Sequence, residues 1–128
     1  MIILCIDDDP EDIDLFRDAI QIVDASINFL SATGGREALL LLASSNGSNC
    51  PEFAFLDINM PLMDGKETLK RIREVEHLGS MQVVMLSTGV ANWDHSEYKA
   101  LGANQVMSKA SSFHGLCDML KSILRLES

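Results

Sequence analysis

The chain has 128 residues, 47% of them hydrophobic, which suits one globular domain with a real core and is too short for two. Its formal net charge of -9 argues against nucleic acid and anionic membrane as partners, because both are bound through an excess of Lys and Arg. The three cysteines, Cys5, Cys50 and Cys117, are odd in number and widely spaced, so they suggest neither a disulfide framework nor a paired-cysteine zinc site.

The chain opens on Ile2, Ile3, Leu4, Cys5 and Ile6, continuously apolar as a strand covered on both faces should be. This run is about a quarter of a membrane span, and neither a basic leader nor a signal-peptide core precedes Asp7, so a cytoplasmic location is expected. Cys5 reads as a small core residue. Asp7, Asp8 and Asp9 follow. Asp9 is placed to cap a helix with Pro10 at its first position, and Ile13, Phe16, Ile20 and Val23 repeat behind it at helical spacing. A more polar strand is expected at 27–30, then a short helix from Ala38 to Leu42, opened by Thr33, Gly34 and Gly35. Residues 44–51 are polar and turn-rich, a loop rather than an interdomain linker. The run 53–56 is a second buried strand, ending at Asp57, and Pro61 and Gly65 force the loop beyond it to turn. Leu69, Ile72 and Val75 mark the next helix. The run 83–86 is a third buried strand, ended by Ser87 and Thr88. Residues 92–101 give a weakly marked helix, with Trp93, Tyr98 and Leu101 in a sparse stripe. A fifth strand at 105–107 leads to Lys109, and Phe113, Leu116, Leu120 and Ile123 form a last helix capped by Ser111 or Ser112.

Five strands alternating with five helices imply the α/β class: a parallel sheet with right-handed crossovers and helices on both faces. The sheet should be open and doubly wound, since a closed eight-fold barrel needs roughly twice the chain. Such sheets bind ligands beyond the carboxyl ends of their strands, where the winding reverses. Asp7, Asp8, Asp57, Ser87 and Lys109 all fall on that edge. Three converging carboxylates repel one another, and magnesium, which takes one or two carboxylates plus a phosphate, resolves the conflict. For Asp7, Asp8 and Asp9 alone the other reading is plain helix capping, where acids favour the dipole. Asp57, presented by a rigid strand, is a candidate nucleophile, because carboxylates attack phosphorus to give an aspartyl phosphate. The Ser87 hydroxyl and the Lys109 ammonium are candidates to bind phosphoryl oxygens, although singly they read equally as a turn former and a solvated lysine.

Taken together, Ile6, Asp7, Asp8, Asp9 and Pro10, then Leu56 through Asp57, Ile58, Asn59, Met60, Pro61, Leu62, Met63 and Asp64 to Gly65, then Leu86, Ser87, Thr88, Gly102, Ala103 and Lys109, resemble the response-regulator receiver domain. The resemblance covers residues 1 to about 126, essentially the whole chain. It implies a flavodoxin-like five-stranded sheet of order 2-1-3-4-5 with five helices, and a single receiver domain over 1–128. It further implies that a histidine kinase or histidine phosphotransfer protein phosphorylates Asp57. Magnesium would be bound by Asp8, Asp57 and the Asn59 backbone carbonyl, with Asp7 helping through its charge, often via water. Ser87 and Lys109 would grip the phosphoryl group, and Ser87 would move with the loop after strand four to report it. The protein would then be a stand-alone signalling module, not an enzyme, a monomer or weak homodimer. Its output would be altered binding to an unknown downstream protein, or onward relay of the phosphoryl group.

This chain departs from that family in three places. Ala110 stands where Pro is usual, often after a cis peptide; a non-proline cis bond costs ~2.5–4 kcal/mol, so the Lys109 loop is expected to be trans, softer or strained. Val106 replaces an aromatic residue that turns inward in many members, which excludes that switch here, and Thr88 is bulkier than the common Ala or Gly. Signalling should therefore rely on the Ser87 loop and the following helix, with Trp93 and Tyr98 as contact residues unless they simply cover the sheet. Three other readings compete. An aspartate-nucleophile phosphatase of the haloacid-dehalogenase type has two acids spaced like Asp7 and Asp9, but needs a cap domain the chain has no room for. A flavin binder needs a hydroxyl- and glycine-rich loop where this chain has Asp7, Asp8, Asp9, Pro10 and Glu11, which repel phosphate. The third is a phosphorylation-independent interaction module, if Ala110 cripples the site.

Overall fold

The computed structural model describes residues 1–46, 49–60, 63–87 and 95–124. In chain order these form β1 (Ile2–Ile6), α1 (Pro10–Val23), β2 (Asn28–Ala32), α2 (Gly35–Ala43), β3 (Phe53–Asp57) and α3 (Gly65–Arg73). A single 3-10 turn at Glu76–Leu78 follows, then β4 (Gln82–Ser87), α4 (His95–Ala100), β5 (Gln105–Ser108) and α5 (Phe113–Leu124). All strands are parallel and lie in the order β2-β1-β3-β4-β5, the doubly wound flavodoxin-like sheet expected from the sequence.

The apolar central strands split their side chains between two cores, as the period of two along a strand requires. From β1, Ile3 and Cys5 pack with Ile13, Phe16 and Ile20 of α1 and Leu120 of α5. Leu4 and Ile6 face the other way, onto Ala38 and Leu42 of α2, Leu69 and Ile72 of α3, and Tyr98 of α4. Burial pushes the Cys5 thiol up to about 12, the nearby Asp7 charge adding to the rise, so it behaves as a core residue.

Register brings the site residues level. Ile6 pairs with Leu56, so Asp7 and Asp57 leave β1 and β3 side by side. Asp57 pairs with Leu86, and Ser87 with Ser108, which sets Ser87 and Lys109 just beyond. Helix starts are fixed by side-chain caps: Asp9 Oδ1 accepts from the Glu11 N–H at 2.9 Å, and Asp64 Oδ1 from the Glu67 N–H at 2.9 Å. For α5 the cap is Ser112, whose Oγ accepts from the Gly115 N–H at 3.0 Å. Gly65 is required where it stands, because a Cβ there would lie 2.7 Å from both the Asp57 carbonyl oxygen and the Ile58 Cα.

Several boundaries differ from the sequence reading; α2, for one, runs Gly35–Ala43 rather than 38–42, because the Ala38 N–H already donates to the Gly34 carbonyl at 3.0 Å. The second strand runs Asn28–Ala32 rather than 27–30, since Ile27 is taken by a turn whose N–H donates to the Asp24 carbonyl at 3.1 Å. Helix α3 stops at Arg73, leaving Val75 outside it at the head of the 3-10 turn, where it still packs on the core. The described part of α4 is His95–Ala100, with Leu101 in the turn that Gly102 closes at φ 113°. Pro61, Leu62, Thr88, Asn92, Trp93 and Leu126 lie outside the described residues.

Candidate functional site

The carboxyl ends of β1, β3 and β5 deliver three acids and one amine to one place. Asp7, Asp8 and Asp57 each offer a carboxylate oxygen within 4.8 Å of the others. The Lys109 Nζ stands 2.8 Å from Asp7 Oδ2 and 3.6 Å from Asp57 Oδ2. Backbone donors orient the acids: the Asp9 N–H donates to Asp7 Oδ1 at 2.9 Å, and the Asn59 N–H to Asp57 Oδ1 at 3.0 Å. Ser87 is buried at the end of β4, and its carbonyl accepts from the Lys109 N–H at 2.7 Å, which ties the β5 loop to β4. The Lys109–Ala110 peptide is trans.

Electrostatics here are strained in a definite direction. Burial pushes the Asp57 carboxyl up to about 6; the Asn59 N–H and the Lys109 ammonium pull it down, while Asp7 and Asp8 push it further up. Burial works against the Lys109 charge too, but its hydrogen bonds to Asp7 and Asp12 outweigh this and hold its pKa above the usual lysine value. Although Asp57 is only 5% exposed, it opens onto a cavity of about 160 Å³ between α1 and α5, also lined by Lys109, Leu15, Phe16, Leu116 and Met119. The acid is shielded yet reachable.

The raised Asp57 carboxyl has a measurable consequence. An acid whose folded pKa exceeds its unfolded value near 3.9 is tolerated best when protonated, so its stabilising contribution is full below about pH 4 and disappears as pH rises through 6. In chelator, Asp57→Asn is therefore expected to be more stable than wild type by about 1–3 kcal/mol at pH 7, the gap closing towards pH 4. Urea unfolding at both pH values checks this; a pH-independent gap would contradict it.

Residues 3–121 match the family model described as "Response regulator receiver domain". The chain belongs to that family. It is 28% identical over 126 residues to the sensor histidine kinase CheAY of Helicobacter pylori, which covers 98% of this chain but only 15% of the kinase. Among solved structures, the phosphorylated cyanobacterial phytochrome response regulator RcpA matches at 26% identity and a TM-score of 0.83, over 95% of this chain and 89% of that one. The Mn(2+)-bound form of response regulator Rcp1 matches at 25% identity and a TM-score of 0.80, over 95% and 90%. Receiver domains are signalling modules of two-component systems, and the phosphoacceptor role and the acidic metal site are family properties.

For Tyr98 the second of its two sequence readings holds, and the site gains one acid that the sequence reading did not single out. Tyr98 is only 8% exposed and turned into the core, with the Lys66 ammonium 5.8 Å over its ring and paired to Glu97, so it covers the sheet. Asp12, unremarked in the sequence, lies at the site: its Oδ2 accepts from Lys109 Nζ at 2.9 Å. The signal was present, because a helix that starts at Pro10 just after Asp7 brings its first turn back over the strand end. An acid there reads first as a dipole partner.

Proposed function

We propose that this receiver domain accepts a phosphoryl group onto Asp57 from a phosphohistidine of a histidine kinase or phosphotransfer protein, and signals by altered binding to a downstream protein. The observation that carries the reading is the Asp57 carboxylate on a rigid strand end, 3.6 Å from the Lys109 ammonium and grouped with Asp7 and Asp8. A cytoplasmic location fits such a donor, and no helix among the described residues is long and apolar enough to cross a membrane.

The donor set fits magnesium: the clustered ligand atoms are carboxylate oxygens within 4.8 Å of one another, with no thiol or imidazole among them. Asp8, Asp57 and the Asn59 carbonyl would hold the ion directly and Asp7 through water, and when bound it would neutralise charge on the transferring group. The manganese form of Rcp1, a similar chain, supports this assignment. The protein's own groups then perform the transfer. An Asp57 carboxylate oxygen attacks phosphorus in line, a P–O bond forms as the P–N bond breaks, and the electron pair leaves on the imidazole nitrogen. Lys109 takes one phosphoryl oxygen and the Ser87 hydroxyl donates to another, stabilising charge that arrives with the group.

Incubation with phosphoramidate and magnesium, read by intact mass, tests this. One base-labile phosphoryl adduct is expected, lost in excess chelator and in Asp57→Asn. Continuous release of phosphate that stops in Asp7→Asn but survives Asp57→Asn would identify a phosphatase instead.

A further inference from the structure

The Lys109 ammonium has three N–H donors, and two of them are committed away from the phosphoacceptor: one to Asp7 Oδ2 at 2.8 Å and one to Asp12 Oδ2 at 2.9 Å. Asp57, at 3.6 Å, lies outside the range of a good charge-assisted hydrogen bond. From this geometry we propose that Asp12 is a positioning residue that holds Lys109 back from Asp57 until a phosphoryl group arrives. Capture then exchanges the Asp12 carboxylate for a phosphoryl oxygen on the same ammonium. The inference rests on the receiver reading and adds to it a fourth acid, which sets how readily Lys109 is released.

Asp12 is the contact that can give way. Asp7 is buried and already bound by the Asp9 N–H, so losing Lys109 would strand a charge in the interior. The Asp12 side chain is 39% exposed, and water replaces the ammonium when it leaves. Asp12 nonetheless sits in a fixed place, because the Asp9 cap and Pro10 define the first turn of α1. Lys109 has a complementary freedom. Its N–H is anchored to the Ser87 carbonyl at 2.7 Å, so the ammonium travels on its four-carbon stem, beside an Ala110 that does not lock the backbone as proline would.

The test is calorimetric titration of beryllofluoride, a phosphoryl analogue, with magnesium present. Asp12→Asn is expected to bind it about fivefold more tightly than wild type, the scale of one half-exposed ion pair, and to lengthen the lifetime of the phosphoryl adduct similarly. Asp12→Ser, which removes the carboxylate without leaving an amide, should give the same gain. In a Lys109→Ala background the gain should vanish, a dependence that a merely structural role for Asp12 would not produce. Unchanged or weaker binding in both Asp12 variants overturns the proposal, as does a gain that persists without Lys109, since the charge would then act directly. If wild type binds no beryllofluoride in an Asp57-dependent way, the receiver reading itself fails, and the proposal with it.

Discussion

Lys109→Ala is expected to slow formation of the Asp57 adduct from phosphoramidate by about a hundredfold, the usual cost of removing one preorganised donor aimed at developing charge. The same change should lower stability in chelator. The ammonium is the neutralising partner of Asp7, Asp12 and Asp57 together, and its removal leaves carboxylates facing one another at a largely buried edge. Taking one partner from a buried pair costs about 3–5 kcal/mol; with Asp12 partly in water, about 2–3 kcal/mol is expected here at pH 7. Magnesium should restore more stability to this variant than to wild type, since a cation replaces the missing positive charge. Thermal unfolding with and without the ion measures this. Adduct formation at the wild-type rate would mean that the ammonium does not receive the phosphoryl charge.

The second large effect is expected far from the site, at Arg73. Its guanidinium donates to the Gly102 carbonyl at 2.9 Å, the Leu78 carbonyl at 3.1 Å, and the Met81 carbonyl and Asn104 Oδ1 at 2.9 Å each. Asn104 Oδ1 also accepts from the Val83 N–H at 2.8 Å, so one side chain joins the end of α3, the 3-10 turn, the start of β4 and the turn before β5. Burial lowers the Arg73 pKa, yet a guanidinium stays charged at neutral pH. The Arg73 side chain also fills the space beside Gly102, where a Cβ would come within 2.6 Å of its Cγ. Arg73→Ala removes these charge-assisted bonds at once and is expected to cost about 3–4 kcal/mol in urea unfolding. Arg73→Lys should recover less than half, because an ammonium lacks the planar fork that reaches several carbonyls. A loss below about 1 kcal/mol would show that water satisfies those carbonyls equally well.

How much of this could be read from the residues alone depends on the range of the interaction. Strands β1, β3 and β4 announce themselves because burial on both faces demands continuous apolar runs, and their ends locate Asp7, Asp57 and Ser87 without coordinates. Lys109 follows from topology, since β5 must finish on the same edge. Legibility fails where a polar side chain answers a partner distant in the chain. Arg73, at the end of α3, reaches 29 residues ahead to Gly102, which no local pattern encodes, and Val75 keeps helical spacing while standing outside the helix. Asp12 was hidden for a different reason: an acid in the first turn of a helix already has a sufficient local explanation. Apolar pattern also overstates burial in α2, where Leu40 is 70% exposed within a run of leucines.

The central claim is that Asp57, and not one of its acidic neighbours, carries the phosphoryl group. Borohydride reduces an acyl phosphate to the alcohol, so the phosphorylated protein, reduced and digested, can be sequenced by tandem mass spectrometry. Homoserine at position 57 alone is the predicted result. Homoserine at Asp7, Asp8 or Asp12 with position 57 intact would contradict it.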